Sequence, residues 1–188
     1  MKRVLALLIA IGIVFSISAC GSEPDYENQN EKIVGNTITV GNYVMTIPDG
    51  FSATKSSDLY FLSSDESSCT ISIFAVNLAV LDEKHVREYI STQAEAFFNE
   101  KATRYSENIQ KIKFGDITVL MDMYAEVSSD GFATINTNGT FTDSWYGYTV
   151  AIECESGSDR ISEDFYSFAE FCASAEYIGE KPRFDFVQ

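Results

Sequence analysis

Carboxylates and side-chain amides crowd into three neighbouring segments, "ITVLMDMYAEV", "FATINTNGTF" and "WYGYTVAIEC". These carry Asp122, Glu126, Asn136, Asn138 and Glu153, together with Tyr124 and Trp145. Amides beside aromatic rings suit a sugar or a peptide, and carboxylates beside carbonyl oxygens suit a cation. Two acids flanking a glycosidic bond can also hydrolyse it, one donating a proton and the other activating water. That chemistry needs burial to raise the pKa of the acid partner. A zinc site has no ligand set, because His85 is the single histidine and Cys69, Cys154 and Cys172 show neither close spacing nor a CxxC pair.

Alternation places the polar residues relative to one another. Ile117, Val119, Met121, Met123, Ala125 and Val127 share one strand face, as do Tyr146, Tyr148, Val150, Ile152 and Cys154, with Ala133, Ile135 and Phe141 in phase between them. Bringing the three apolar sets together predicts a hairpin closed around Ser129-Asp130-Gly131. Glu126 then faces Thr134, Tyr124 faces Asn136 and Asp122 faces Asn138, while the third strand sets Glu153 beside Thr134 and Thr149 beside Asn138. The opposite face is lined by Asp122, Tyr124, Glu126, Thr134, Asn136, Asn138, Thr149 and Glu153, with Trp145 at one end.

This face is expected to be a shallow acidic and amide-rich surface, and the solvated side of an antiparallel sheet has the same composition. Two strand steps put Glu126 and Glu153 roughly 10 Å apart, in range of an inverting glycosidase, but carboxylates on an open sheet lack the burial a general acid needs. The expectation is therefore a binding face without catalytic residues, cofactor or metal, with a paired-acid hydrolase as the alternative.

Other segments supply the rest of a domain. "NTITV", "YVMTIP", "DLYFLS" and "CTISIFAVNL" read as successive antiparallel strands, with Pro48-Asp49-Gly50 stopping the second. From Asp82 to Lys101 the period becomes helical, with Val86, Tyr89, Ile90, Ala94, Phe97 and Phe98 on one stripe and Asp82 and Glu83 at the positive end of the dipole. His85 falls beside this stripe as a solvated residue. A second helix from about Asp159 to Cys172 carries Ile161, Phe165, Phe168, Ala169 and Cys172 on a core-facing stripe.

Ahead of these elements, Lys2 and Arg3 precede an apolar run from Val4 to Ala19 that is too short for a comfortable membrane span. Positive n-region, apolar h-region and small residues before a cut make residues 1–19 an export signal. Ile17-Ser18-Ala19-Cys20 resembles the lipobox of bacterial lipoproteins. That resemblance implies cleavage after Ala19 and a diacylated Cys20, whose two chains satisfy the requirement for stable anchoring. Residues 20–32 are polar and acidic and form a flexible tether. Residues 33–180 form one domain, and 181–188 a C-terminal tail. Export permits a disulfide among Cys69, Cys154 and Cys172 without specifying one; in apolar surroundings each is equally a small core residue.

The phrase "YVMTIPDGF", followed by "DLYFLS", "CTISIFAVNL", the "VREYISTQAEAFF" helix, an antiparallel meander and the closing "FYSFAEFCASAEYI" helix, resembles the PsbP-like fold. That family includes the photosystem II extrinsic subunit, a Ran-release factor and many bacterial lipoproteins. The resemblance implies an α/β (α+β) sandwich, an antiparallel sheet with helices packed on it, whose members act as binding or assembly modules. Thirteen Lys and Arg against 28 Asp and Glu give a net charge of −15, and losing the two basic residues of the leader lowers it to −17. Nucleic acid and anionic lipid headgroups would be repelled. The expected partners are the membrane, through the anchor on Cys20, and an envelope protein, a glycan or a cation.

Overall fold

The computed structural model describes residues 32–96, 103–104, 110–127, 133–155 and 159–184. The leader, Cys20, most of the tether, Phe97 and Phe98, and the expected hairpin loop at Ser129-Asp130-Gly131 lie outside the described residues. Strands β1 (Lys32–Val34), β2 (Thr37–Val40) and β3 (Tyr43–Thr46) open the domain, followed by β4 (Ser52–Ser56), β5 (Leu59–Ser63) and β6 (Cys69–Asn77). Helix α1 spans Glu83–Ala96. After it come β7 (Thr103–Arg104), β8 (Gln110–Phe114), β9 (Ile117–Val127), β10 (Ala133–Thr142), β11 (Tyr146–Glu155), helix α2 (Ile161–Ala173) and β12 (Glu176–Tyr177).

The class is the expected α+β sandwich, but the strands divide between two antiparallel sheets. A small sheet runs β1-β2-β3-β12, and a large one runs β4-β5-β6-β11-β10-β9-β7, with β8 also paired to β9. The first four expected strands are thus not one meander. Pro48 has no N–H to offer a ladder, Gly50 adopts φ +81°, and Phe51 N donates to Pro48 O at 3.1 Å, so the chain turns out of the small sheet before β4. Five strands fell outside the periodicity argument, β1, β4, β7, β8 and β12; the "SATKS" of β4 is almost wholly polar and exposed, as an edge strand can be. The two-residue strands β7 and β12 are too short to show a period.

One continuous core forms where the apolar face of the large sheet meets the small sheet and α2. Ile71, Ile73, Val119, Val150 and Ile152 of the large sheet pack with Ile38, Val40 and Met45 of the small one and with Phe168, Phe171 and Cys172 of α2. Phe171, absent from the expected stripe, is completely buried and widens the apolar face of α2. Ser174 ties the helix to the small sheet, its Oγ accepting from Thr46 N at 2.8 Å and donating to Phe171 O at 2.7 Å. Within this core Cys69 of β6 and Cys154 of β11 stand directly opposite each other and are joined by a disulfide, while Cys172 remains a buried free thiol.

Helix α1 begins at an Asp82 cap, whose Oδ1 accepts from His85 N at 2.9 Å and from the His85 ring at 2.7 Å. An Arg87–Glu83 pair one turn apart supports its exposed side. Its buried side, with Val86 fully enclosed, covers the opposite face of the large sheet from α2. The two helices therefore sandwich the sheet.

Candidate functional site

Strands β9 and β10 pair in the expected register, Glu126 with Thr134, Tyr124 with Asn136 and Asp122 with Asn138. Strands β10 and β11 do not. Glu153 stands opposite Asn136 rather than Thr134, Thr149 opposite Thr140 rather than Asn138, and Glu155 takes the place opposite Thr134. The hairpin between them explains the shift. Asp143 N donates to Tyr146 O at 3.3 Å, leaving Ser144 and Trp145 as a two-residue loop with Ser144 at φ +73°. The Asp143 Oδ1 accepts from Trp145 N at 2.8 Å and Tyr146 N at 2.7 Å and so fixes the turn centre. Moving that centre by one residue slips the pairing by two, which leaves each side chain on its expected face.

Those residues share a face, but the face is not the open surface that the sequence suggested. Asp122 is 5% exposed, Asn136 7% and Thr149 4%, because α1 lies across them. Both carboxylate oxygens of Asp122 and the hydroxyls of Thr149 and Tyr89 are buried without a hydrogen-bond partner among the described residues. Burial pushes the Tyr89 phenol up to about 12. Tyr124 is half-buried, and its hydroxyl accepts from Asn138 Nδ2 at 2.9 Å. Glu153 is exposed, and Glu126 is placed by register alone, one row away from Glu153. An apolar helical stripe states that a helix needs cover without stating which sheet face supplies it, so the sequence could not show that α1 seals this one.

Trp145 is also engaged. Its Nε1 donates to Lys181 O at 3.2 Å, and the Arg183 guanidinium sits 4.8 Å from the centre of its ring. Arg183 donates further to Leu78 O at 2.8 Å, Ala79 O at 2.7 Å and Leu81 O at 3.1 Å, and also to Ser144 O. Residues 181–184, read from sequence as the start of a tail, thus lie against the domain and hold the loop before α1 to the β10–β11 hairpin. A lone arginine near a chain end carries no periodic signal that could have announced this role.

Beside this clamp is a concavity of about 250 Å³ bordered by Tyr43, Asp116, Phe141, Asp143, Tyr177 and Phe184. Phe141 stacks on Tyr148 with ring centres 4.5 Å apart, and Tyr43 meets both rings edge-on. The Asp143 Oδ2 accepts from Tyr148 Oη at 2.8 Å and Asn42 Nδ2 at 2.9 Å, so its carboxylate is committed to the hairpin on both oxygens. Burial, and then the charge of Asp143, hold the Tyr43 and Tyr148 phenols well above the usual tyrosine range.

A second concavity, of about 330 Å³, opens between α2 and the β8–β9 edge of the large sheet. Phe165, Phe168 and Ala169 form the helix side, Ile112, Phe114, Met121 and Met123 the strand side, with Gln110 at one end and Thr137 of β10 among the lining. Thr137 is 3% exposed, and among the described residues its hydroxyl has no hydrogen-bond partner. Among the described residues no three histidine, cysteine, aspartate or glutamate side chains converge as metal ligands.

By sequence, the chain matches no protein-family model and no curated protein. Its structure is similar to that of a chain from Bacteroides thetaiotaomicron, with a TM-score of 0.52 and 11% identity over 74% of this chain and 46% of the other. The protein thus spans about half of that relative, and the likeness speaks for the fold alone. Looser likenesses are to LpqN, involved in cell envelope biogenesis of Mycobacterium tuberculosis (TM-score 0.48, 8% identity, 72% and 82% of the two chains). Another is to the Ran-binding protein Mog1p of Saccharomyces cerevisiae (TM-score 0.44, 10% identity, 73% and 91%).

Proposed function

We propose that the chain is a lipid-anchored binding or assembly module on the extracytoplasmic side of a bacterial cell membrane, attached through a diacylated Cys20. The observation that carries this reading is the Cys69–Cys154 disulfide inside the core. Structural disulfides form and persist where thiols are not kept reduced, which an exported domain satisfies. The lipobox at Ile17–Cys20 supplies the attachment, and among the described residues no helix is long and apolar enough to cross a membrane.

Binding is preferred over turnover because the candidate acids do not come together in a catalytic arrangement. Glu153 is exposed, without the burial that raises a general acid's pKa, and stands one pairing row away from Glu126. Asp122, the buried acid of that face, lies under α1 and has no second carboxylate opposite it on β10, where its partner is Asn138. The excess of 28 acidic over 13 basic side chains disfavours nucleic acid as the partner.

Labelling of intact cells with a radioactive fatty acid tests the anchor. The natural chain incorporates label, and Cys20→Ser accumulates as an unlabelled precursor. Undiminished labelling of Cys20→Ser overturns the anchor, and a protein recovered with Cys69 and Cys154 reduced overturns the location. Crosslinking on intact cells then identifies the neighbour.

A further inference from the structure

We propose that the groove between α2 and strands β8–β9 is a binding site for a neutral apolar molecule, an alkyl chain or ring system bearing one hydroxyl, carbonyl or amide group. This goes beyond the anchored-module reading, because it assigns a ligand class to a site on the folded domain.

The first argument is shape and lining. Small-molecule sites are concavities of about 300–1,000 Å³, mostly apolar, with a few placed polar groups. The groove has about 330 Å³ and is lined by Ile112, Phe114, Met121, Met123, Phe165 and Phe168. Met123 keeps 37% of its surface exposed at the lip. Methionine's unbranched, polarizable side chain adapts to varied apolar guests.

The second argument is independent of the first. Buried polar groups are as a rule satisfied in folded proteins, and each exception asks for an explanation, an ordered water or a ligand among them. Thr137 occupies a core-facing position of β10, between Met123 and Ile152, and its buried hydroxyl has no partner among the described residues. A ligand's single hydrogen-bonding group entering beside it supplies that partner.

Charge selects among ligands. Gln110, Ile112 and Phe114 of β8 line the groove, so alternation sends Lys111 and Lys113 to the other side, where both are exposed. Among the described residues no basic side chain is then present in the lining to pair with an anionic head. Asp122 borders the groove through β9, but alternation directs its side chain to the opposite face, next to Asn138, so it is not placed to pair with an ammonium. An unpaired charge in an apolar groove pays its full desolvation cost. A fatty carboxylate is further opposed by the net charge of −15.

The test uses the purified full-length chain carrying Cys20→Ser and the fluorescent probe N-phenyl-1-naphthylamine, with displacement by 1-decanol and by decanoate at pH 8. The expected result is enhanced probe emission that 1-decanol reverses and decanoate does not. Ala169→Phe fills the groove from the helix side and abolishes the enhancement. Thr137→Val removes the hydroxyl at constant shape and weakens displacement by 1-decanol about three- to ten-fold without lowering the unfolding midpoint. If Ala169→Phe fails to fold, Met123→Trp at the lip replaces it. Absence of enhancement, enhancement that survives groove filling, equal displacement by decanoate, or an unchanged Thr137→Val response each overturns the proposal. None of these outcomes bears on fatty-acid labelling of Cys20.

Discussion

The ring of Tyr89 in α1 occupies the space that a side chain at position 147 of β11 would need: a Cβ added at Gly147 would stand 2.3 Å from Tyr89 Cε1. This contact seats α1 against the sheet and turns a polar strand face into an interior one. Gly147→Ala must push the ring or the helix outward. Overpacking of this kind costs about 1–3 kcal/mol, so urea unfolding of Gly147→Ala should shift to a lower midpoint. Tyr89→Ala combined with Gly147→Ala should cost less than the sum of the single changes, since the clash is then gone.

Arg183 supports a second prediction. Trp145 is the only tryptophan, so its emission reports the clamp directly. Arg183→Ala removes the guanidinium from the ring and leaves the carbonyls of Leu78, Ala79, Leu81 and Ser144 to find other donors. Emission should move to longer wavelength as water reaches the ring, and stability should fall by about 1–3 kcal/mol. Arg183→Lys should rescue only part of this loss, because an ammonium cannot bridge several carbonyls in one plane. An unchanged spectrum would show that residues 181–184 do not hold the hairpin.

The disulfide closes a loop between residues 85 apart in sequence. Removing it through Cys69→Ala with Cys154→Ala should lower the unfolding free energy by about 2–4 kcal/mol, chiefly by freeing the unfolded chain. Cys172 should resist thiol reagents in the native protein, since burial pushes its thiol well above the usual range, and should react only on unfolding.

Alkaline pH should destabilise the protein before moderate acid does anything comparable at these sites. Tyr43, Tyr89, Tyr148 and Tyr177 all have raised pKa values, with burial the largest cause for each and Tyr89 pushed up to about 12. In the unfolded chain they ionise near pH 10, so the unfolded state gains stability from there upward while the folded state must keep them neutral. Stability is fully present below about pH 10 and is lost as pH rises through the folded values. Chemical denaturation at pH 8, 10 and 11.5 checks this, and a midpoint independent of pH over that range would contradict the buried placement of these phenols.

Much of this architecture was written in local pattern. Alternation from Ile117 to Val127 and from Tyr146 to Cys154 specified long strands, and the pairing of β9 with β10 followed once the hairpin was centred on Ser129-Asp130-Gly131, which selects one among the registers that align their apolar faces. The stripes Val86–Tyr89 and Ile161–Cys172 specified two helices. The readings of a leader, a lipobox and a tether likewise rest on composition and order alone, to which tertiary contacts add nothing.

What the sequence could not determine were relations between segments far apart along the chain. The β10–β11 register depended on Asp143 capturing two backbone N–H groups and on Ser144 taking a left-handed conformation, a choice of turn centre that alternation leaves open in steps of two. Which face α1 would cover depended on the space above Gly147, and so the fate of Asp122, Asn136 and Thr149 was decided by packing rather than polarity. Cys69 could be matched with Cys154 rather than Cys172 only once β6 and β11 lay side by side. The groove beneath Phe165 and Phe168, with the hydroxyl of Thr137 in its lining, exists because α2 and strands β8, β9 and β10 leave volume between them. Volume belongs to no single segment, so it has no periodicity to read.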